Sequence, residues 1–248
     1  MNRFFVNSNQ VIDDKIKIIG QDVKHIKNVL RLKPKDRIEI LCQGQLYISE
    51  ILLIDSKTVD TLIIEKKIGE NEPPIHIALY QGIAKGNKME YIIQKATEIG
   101  VKEIYPLITH RTVVRIKDKQ KEQNKIARWN SIGEEAAKQS KRDILPTVNN
   151  IIDFDEMLEI FKYENNIIVP YEMEKSRGLK EALKNIGRGR INIVIGPEGG
   201  FTEKEIHTLK AKGGQIITLG PRILRTETAG LVVASIVLYE LGDLGVIR

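Results

Sequence analysis

Up to about residue 70, short runs rich in β-branched and aromatic residues alternate with polar turns, at positions 4–6, 37–41, 46–54 and 59–64. This pattern predicts a small β-rich domain over residues 1–70. One helix is expected within it, opening at Asp22 as N-cap and ending before Pro34, because the residue ahead of a proline avoids helical geometry. Residues 69–74 lack apolar periodicity and carry Pro73 and Pro74, a linker signal. From residue 75 to 248 strands alternate with helices, the pattern of an α/β domain with a parallel sheet. Strands are expected at 75–81, 101–107, 167–169, 191–195 and 215–219. Asn87 with Glu90 forms a capping-box pattern ahead of Met89, Ile92, Ile93 and Ala96, with Gly100 as the stop. A longer helix is expected over 121–140, where Ile126, Trp129, Ala136 and Ala137 share a face, and Thr202 with Glu205 opens another. The last helix, 228–241, is apolar nearly all round through Leu231, Val232, Val233, Ile236, Val237 and Leu238. Such a helix needs cover on more than one side, which predicts a subunit interface as well as a core.

A chain of 248 residues can bury a sizeable core, and no apolar run in it approaches the length that spans a bilayer. The start, Met1-Asn2-Arg3-Phe4-Phe5-Val6, has no sustained apolar stretch behind it, so no secretory signal and no membrane association are expected, and the location is expected to be cytoplasmic. With one cysteine, Cys42, and four scattered histidines, no metal is expected. The net charge of +6 suits a polyanionic partner, and its distribution sharpens the point. Between Lys24 and Arg37 six basic residues face only Asp36, and a second basic run extends from Arg111 to Arg128. Charge runs are more often solvated faces than binding sites, so they decide nothing alone.

Two glycine-marked loops follow the last two strands: Gly196-Pro197-Glu198-Gly199-Gly200 and Gly220-Pro221-Arg222-Ile223-Leu224-Arg225-Thr226-Glu227-Thr228. In parallel α/β sheets ligands bind at strand ends, so the two loops can wall one crevice. A lone loop of this kind is more often a tight turn into a helix, and neither fits G-x-G-x-x-G or a P-loop, which argues against dinucleotide or nucleoside triphosphate chemistry.

Gly196-Pro197-Glu198-Gly199-Gly200-Phe201, the run from Leu219 to Ala229, Lys85-Gly86-Asn87-Lys88-Met89 and Gln94-Lys95-Ala96-Thr97-Glu98-Ile99-Gly100-Val101 resemble the RsmE family of ribosomal RNA uridine N3-methyltransferases. Residues 25–34 and 134–140 extend the resemblance over most of the chain. It implies a trefoil-knotted SPOUT methyltransferase domain preceded by a small PUA-like β-barrel domain, working as a homodimer. It also implies S-adenosylmethionine as cofactor and 16S ribosomal RNA or the small ribosomal subunit as partner, with uridine 1498 as the target. Cofactor contacts carried over are Val169, Pro170, Gly196, Pro197, Gly199, Leu219, Gly220, Ile223, Leu224 and Thr226, with the strand end Val169-Pro170-Tyr171-Glu172 closing the pocket's third side. Arg3, His25, Arg31, Lys33, Arg37, Arg111 and Arg115 are the expected RNA contacts, while Phe4 is expected in the core. Two residues depart from the family, which usually has glycine where Lys35 and Lys141 stand.

Methylating N3 of a uridine requires loss of its proton, because the neutral imide nitrogen has no free lone pair. Glu198 and Glu227 are the carboxylates on the two loops, each equally readable as a base or as a turn or helix-terminus residue. Arg222 and Arg225 are placed to hold charge developing on the uracil oxygens. The competing reading is a non-catalytic ribosomal RNA-binding or assembly factor that kept the fold.

Overall fold

In the computed structural model, which describes residues 1–114, 118–187 and 189–246, the chain forms two units, Met1–Glu72 with Ala137–Leu145, and Pro73–Ala136 with Pro146–Arg248. The first unit contains β1 (Arg3–Phe5), β2 (Val11–Ile12), β3 (Lys15–Ile19), α1 (Gln21–Lys24), β4 (Arg37–Cys42), β5 (Gln45–Ile54) and β6 (Thr58–Ile68). Its sheet runs β1-β4-β5-β6-β3-β2. Alternate residues point inward, so Ile16 and Ile18 of β3 and Ile38 and Ile40 of β4 join Phe4, Ile26 and Val59 in one core. Gln43 and Gly44, with φ of 50° and 84°, make the two-residue turn joining β4 to β5, the backbone that matches strand twist.

The expected helix at Asp22 is shorter and starts earlier. Strand β3 runs to Ile19 and Gly20, with φ of 78°, turns the chain straight into α1, so Asp22 sits in the first turn and pairs with Lys138 at 2.7 Å instead of capping. A π turn, His25–Val29, follows and ends at Arg31 in the left-handed region with φ of 53°. Lys35 has φ of 79° and Lys141 φ of 61°. Both conformations favour glycine, which accounts for the glycine that the resembling family carries there. Pro34 and Lys35 occupy the middle of a turn closed by the Asp36 N–H donating to the Lys33 carbonyl at 3.1 Å, and the second of those positions is the one that needs positive φ. Lys35→Gly is therefore expected to raise stability by roughly 0.5–1 kcal/mol, read as the midpoint of urea unfolding.

Residues 137–145 are tied into the first unit by ions. The Arg3 guanidinium, 6% exposed, pairs with Glu39 and Asp143 at 2.8 Å each and donates to the carbonyls of Lys141 and Arg142. Buried in these contacts, Arg3 is placed as a structural residue rather than on the surface where the RNA contact was expected. Arg142 makes a two-pronged pair with Glu72, whose carboxylate also accepts the N–H groups of Asp143 and Ile144.

The second unit comprises β7 (His76–Gly82), α2 (Lys88–Ile99), β8 (Glu103–Ile108), α3 (Lys119–Gln139), β9 (Thr147–Val148), β10 (Ile152–Asp153), α4 (Phe154–Ile160), β11 (Ile167–Pro170), α5 (Leu179–Leu183), β12 (Arg190–Ile195), α6 (Glu203–Ala211), β13 (Gln215–Ile217) and α7 (Thr226–Leu241). All strands are parallel, in the order β10-β8-β7-β12-β11-β13, with β9 beside β8. Their near-continuous Ile/Val runs are those of strands buried on both faces. Ile77, Leu79, Ile191, Ile193 and Ile195 enter the core shared with α2 and α7, while Ala78, Tyr80 and Val194 enter the one on the other face. Short elements such as β9, β10, α4 and α5 carry too few periods to be read in the sequence.

The capping box of Thr202 and Glu205 is formed in full. The one expected at Asn87 is not: Asn87 is the N-cap residue, but its backbone, with ψ of 6°, is not in the extended conformation of a capping residue and its side chain makes no cap hydrogen bond, while the Glu90 side chain pairs with Arg128 at 2.8 Å. Helix α7 buries Ala229, Gly230, Val233, Ala234, Val237 and Leu238 along one stripe and leaves Ile236 and Tyr239 exposed. No helix among the described residues is long and apolar enough to cross a membrane.

At the N-terminal ends of the central strands, Glu103 accepts from Arg190 at 2.9 Å and lies 3.1 Å from the His76 ring. The hydrogen bond from His76, helped by Arg190 and Tyr105 and opposed by burial, holds its carboxyl down to about 2. A depressed carboxyl stabilises the fold above its unfolded value and loses that contribution as pH falls through the folded value. Thermal unfolding at pH 7, 4 and 2 is therefore expected to show a larger loss of stability below pH 4.5 in the native chain than in Glu103→Gln. Parallel pH curves for the two proteins would exclude this contribution.

Candidate active site

Strand order brings together what the chain keeps apart. Strand β11 lies between β12 and β13, so the segments leaving all three strands emerge side by side at the C-terminal edge of the sheet. They enclose a cavity of about 510 Å³, with Pro170, Tyr171 and Glu172 from the first, residues 195–201 from the second, and residues 218–227 with Ala229 from the third. Lys88, from the first turn of α2, completes the wall.

Of the expected site residues, Pro170, Gly196, Pro197, Glu198, Gly199, Leu219, Gly220, Arg222, Ile223, Leu224, Arg225, Thr226 and Glu227 all line this cavity. Val169 does not. Val169 is fully buried in the core on the α6 side of the sheet, while Pro170, Tyr171 and Glu172 of the same strand end form the third wall as expected. Ile223 is 85% exposed, an apolar side chain at the cavity with nothing covering it. Gly220, with φ of 105°, turns the last loop, and the amides of Arg222, Ile223 and Leu224 donate to no protein group among the described residues. Such amides suit the acceptors of a polar ligand.

Gly82, at the end of β7, was not singled out in the sequence, yet a Cβ there would lie 2.4 Å from the Pro197 nitrogen. The glycine loop after β12 is packed directly on this backbone. From the other side Arg111 donates to the Gly199 carbonyl at 3.0 Å, and its neighbour His110 donates its N–H to the buried Glu205 at 2.9 Å. Arg111 thus braces the loop from an exposed position.

The charged groups converge on Lys88, whose ammonium lies 3.5 Å from Glu198 and 3.2 Å from Glu227. Nothing in the 85–89 run marks Lys88 for a role; only the fold brings α2 to the cavity. Partial burial pushes the Glu198 carboxyl up, but the Lys85 N–H, donating at 3.0 Å, and Lys88 outweigh it and leave the group below the usual carboxylate range. Glu227 is different. Its Oε2 is buried and makes no hydrogen bond of good geometry, although the Lys88 ammonium lies at 3.2 Å, and Arg225 is 4.0 Å from its other oxygen. Among the described residues no cluster of three or more metal-ligating side chains occurs.

The remaining expected residues lie on the first unit, where His25, Arg31, Lys33 and Arg37 are exposed. Arg115 falls outside the described residues.

Residues 71–238 match the model of a family described as an RNA methyltransferase domain, and residues 18–64 match an RNA methyltransferase PUA domain. The fold is thus that of the RNA methyltransferase class, with a PUA-like domain ahead of an α/β domain. The ribosomal RNA small subunit methyltransferase E of Bacillus subtilis (strain 168) is 36% identical over 97% of each chain. The chain belongs to the ribosomal RNA small subunit methyltransferase E family. Among solved structures, the family member from Neisseria gonorrhoeae bound to S-adenosyl methionine superimposes with a TM-score of 0.87 at 31% identity, covering 98% of this chain and 99% of that one. A Legionella pneumophila protein in complex with the bound cofactor SAM gives 0.85 at 28% identity, over 97% and 98% of the two chains.

Proposed function

We propose that this chain transfers the methyl group of S-adenosylmethionine to N3 of a uridine in 16S ribosomal RNA, and that it does so in the cytoplasm as a homodimer whose C-terminal domain is trefoil-knotted. The observation that carries the reading is the cavity of about 510 Å³ between three adjacent strand-end segments, ringed by Lys88, Glu198 and Glu227. Its lining fits the cofactor: glycine backbone approachable at Gly196 and Gly220, free amides at 222–224, and apolar surface from Ile223 and Leu224. When bound there, S-adenosylmethionine supplies a methyl group on a sulfonium that is open to attack by a nucleophile.

The chain's own residues must strip the uridine N3 proton and stabilise the anion. Glu227 is the base in this reading: its Oε2 faces Lys88, and its Oε1, 4.0 Å from Arg225, accepts no hydrogen bond among the described residues. Glu198 fixes the Lys85 and Lys88 side of the wall, because a carboxylate held below its usual range is a weak base. Arg222 and Arg225, both exposed at the rim, hold the charge that spreads onto the uracil oxygens. His25, Arg31, Lys33, Arg37 and Arg111 hold the RNA, mainly through phosphates. The exposed Ile236 and Tyr239 of α7 suit a subunit interface, and the placement of β12 between β7 and β11 suits a chain that doubles back through its own sheet.

The test is incubation with S-adenosylmethionine and either naked 16S ribosomal RNA or small subunits from cells lacking the protein, followed by nucleoside mass spectrometry. Stoichiometric 3-methyluridine from one of the two substrates is expected. Methyl transfer to a different atom, or none to either substrate, overturns the reading.

A further inference from the structure

Beneath the cavity floor, Thr226, at 7% exposure, donates its hydroxyl proton to the Gly196 carbonyl at 2.6 Å. A hydroxyl has one proton to give. The Gln81 contact to the same oxygen, at 2.9 Å, must therefore come from the amide NH2 of Gln81, which also lies 3.2 Å from the Gly82 carbonyl. That settles which way the fully buried Gln81 amide faces, and it turns Oε1 towards Gly230 of α7, where it accepts no hydrogen bond among the described residues. A Cβ on Gly230 would sit 3.2 Å from that oxygen. Three elements meet in this relay: the end of β7, the loop after β12 and the first residue of α7.

We propose, on the reading that the cavity holds S-adenosylmethionine, that Gln81 and Thr226 are positioning residues for the reaction. Their relay locks the Gly196 carbonyl to the first turn of α7. Glu198 lies two residues beyond Gly196 and Glu227 is next to Thr226, so the same lock sets both carboxylates against Lys88. Thr226 lines the cavity but its hydroxyl is already engaged, so it acts through the shape of the glycine loop. Gln81 reaches no ligand and acts through Thr226. Removing the hydroxyl leaves the Gly196 carbonyl without its donor and frees the loop to adopt arrangements that do not bind.

The experiment measures the dissociation constant for S-adenosylmethionine by calorimetry, kcat on 16S ribosomal RNA, and Tm, for Thr226→Val, Thr226→Ser, Gln81→Met and the pair Gln81→Met with Thr226→Val. A lost buried hydrogen bond shifts a binding equilibrium by about tenfold, so Thr226→Val is expected to weaken cofactor binding by about that factor and to lower kcat. Thr226→Ser is expected to stay within about twofold of the native chain, and Gln81→Met to fall between the two. The pair is expected to be no worse than Thr226→Val, because both changes act through one hydroxyl. Native binding and kcat in Thr226→Val and Gln81→Met, with only Tm reduced, would show a purely structural contact and overturn the proposal. A Thr226→Ser as impaired as Thr226→Val would do the same, by placing the effect in the threonine methyl. A native chain that does not bind S-adenosylmethionine at all sinks the functional reading and the relay with it.

Discussion

Replacing Gly82 by alanine is expected to weaken S-adenosylmethionine binding by more than about a hundredfold, the largest effect of any substitution outside the cavity lining. The added Cβ would stand 2.4 Å from the Pro197 nitrogen, 2.7 Å from the Gly196 carbonyl carbon and 2.9 Å from the proline ring. Two of these are backbone atoms, so no side-chain rotation relieves the clash. Gly82 ends a central strand paired on both sides, with Leu107 opposite it in β8, and has little freedom to retreat. The glycine loop after β12 must move, carrying Gly196 and Glu198 out of place. Overpacking of this kind costs about 1–3 kcal/mol of stability, so a Tm several degrees lower is expected alongside the loss of binding. Gly187→Ala, where a Cβ meets nothing within 4 Å, provides the comparison. Calorimetric titration decides the matter: cofactor binding in Gly82→Ala close to that of Gly187→Ala would show that this close approach does not hold the loop.

The second large effect concerns the base. Glu227→Gln is expected to lower kcat by a factor of about 100 or more with cofactor affinity nearly unchanged, as for loss of general-base catalysis. Glu198→Gln is expected to cost at most about tenfold in kcat. The difference follows from their surroundings. Glu198 accepts a backbone N–H from Lys85 and an ammonium contact from Lys88, which together pull its carboxyl below the usual range. Each proton it took up would break those interactions. Glu227 shares Lys88 through Oε2 but leaves Oε1, 4.0 Å from Arg225, without a hydrogen bond among the described residues, ready for a donor. The glutamine amide keeps the volume and removes the basic lone pair. Single-turnover methylation with saturating RNA measures the step directly. Equal losses in the two variants, or a larger one in Glu198→Gln, would move the base away from Glu227.

Much of this architecture was legible in the chain because it rests on local rules. The apolar runs of β7 and β12, the alternation in β4 and β5, and the capping box of Thr202 and Glu205 depend on residues within a few positions of one another. The two glycine loops belonged to the same category. Misreadings arose where a distant partner outbid a local one. Glu90 left Asn87 for Arg128, and Asp22 took Lys138 in place of a capping role. Arg3, a cation that looked free, turned out to be enclosed by Glu39 and Asp143. Val169 lies inside β11, buried in the core, short of the strand end where Pro170, Tyr171 and Glu172 meet the cavity.

By itself, then, the amino-acid order determined the β-rich start, the α/β remainder, and the two glycine loops that were candidates for the site, since strand period, caps and glycine turns are properties of neighbours along the chain. Tertiary structure alone decided the strand order, with β11 between β12 and β13, that sets the expected third strand end between the two loops. It also decided that Lys88, Gln81 and Gly82 would support that cavity, as sheet order and helix docking join residues more than a hundred positions apart through packing that no local pattern encodes.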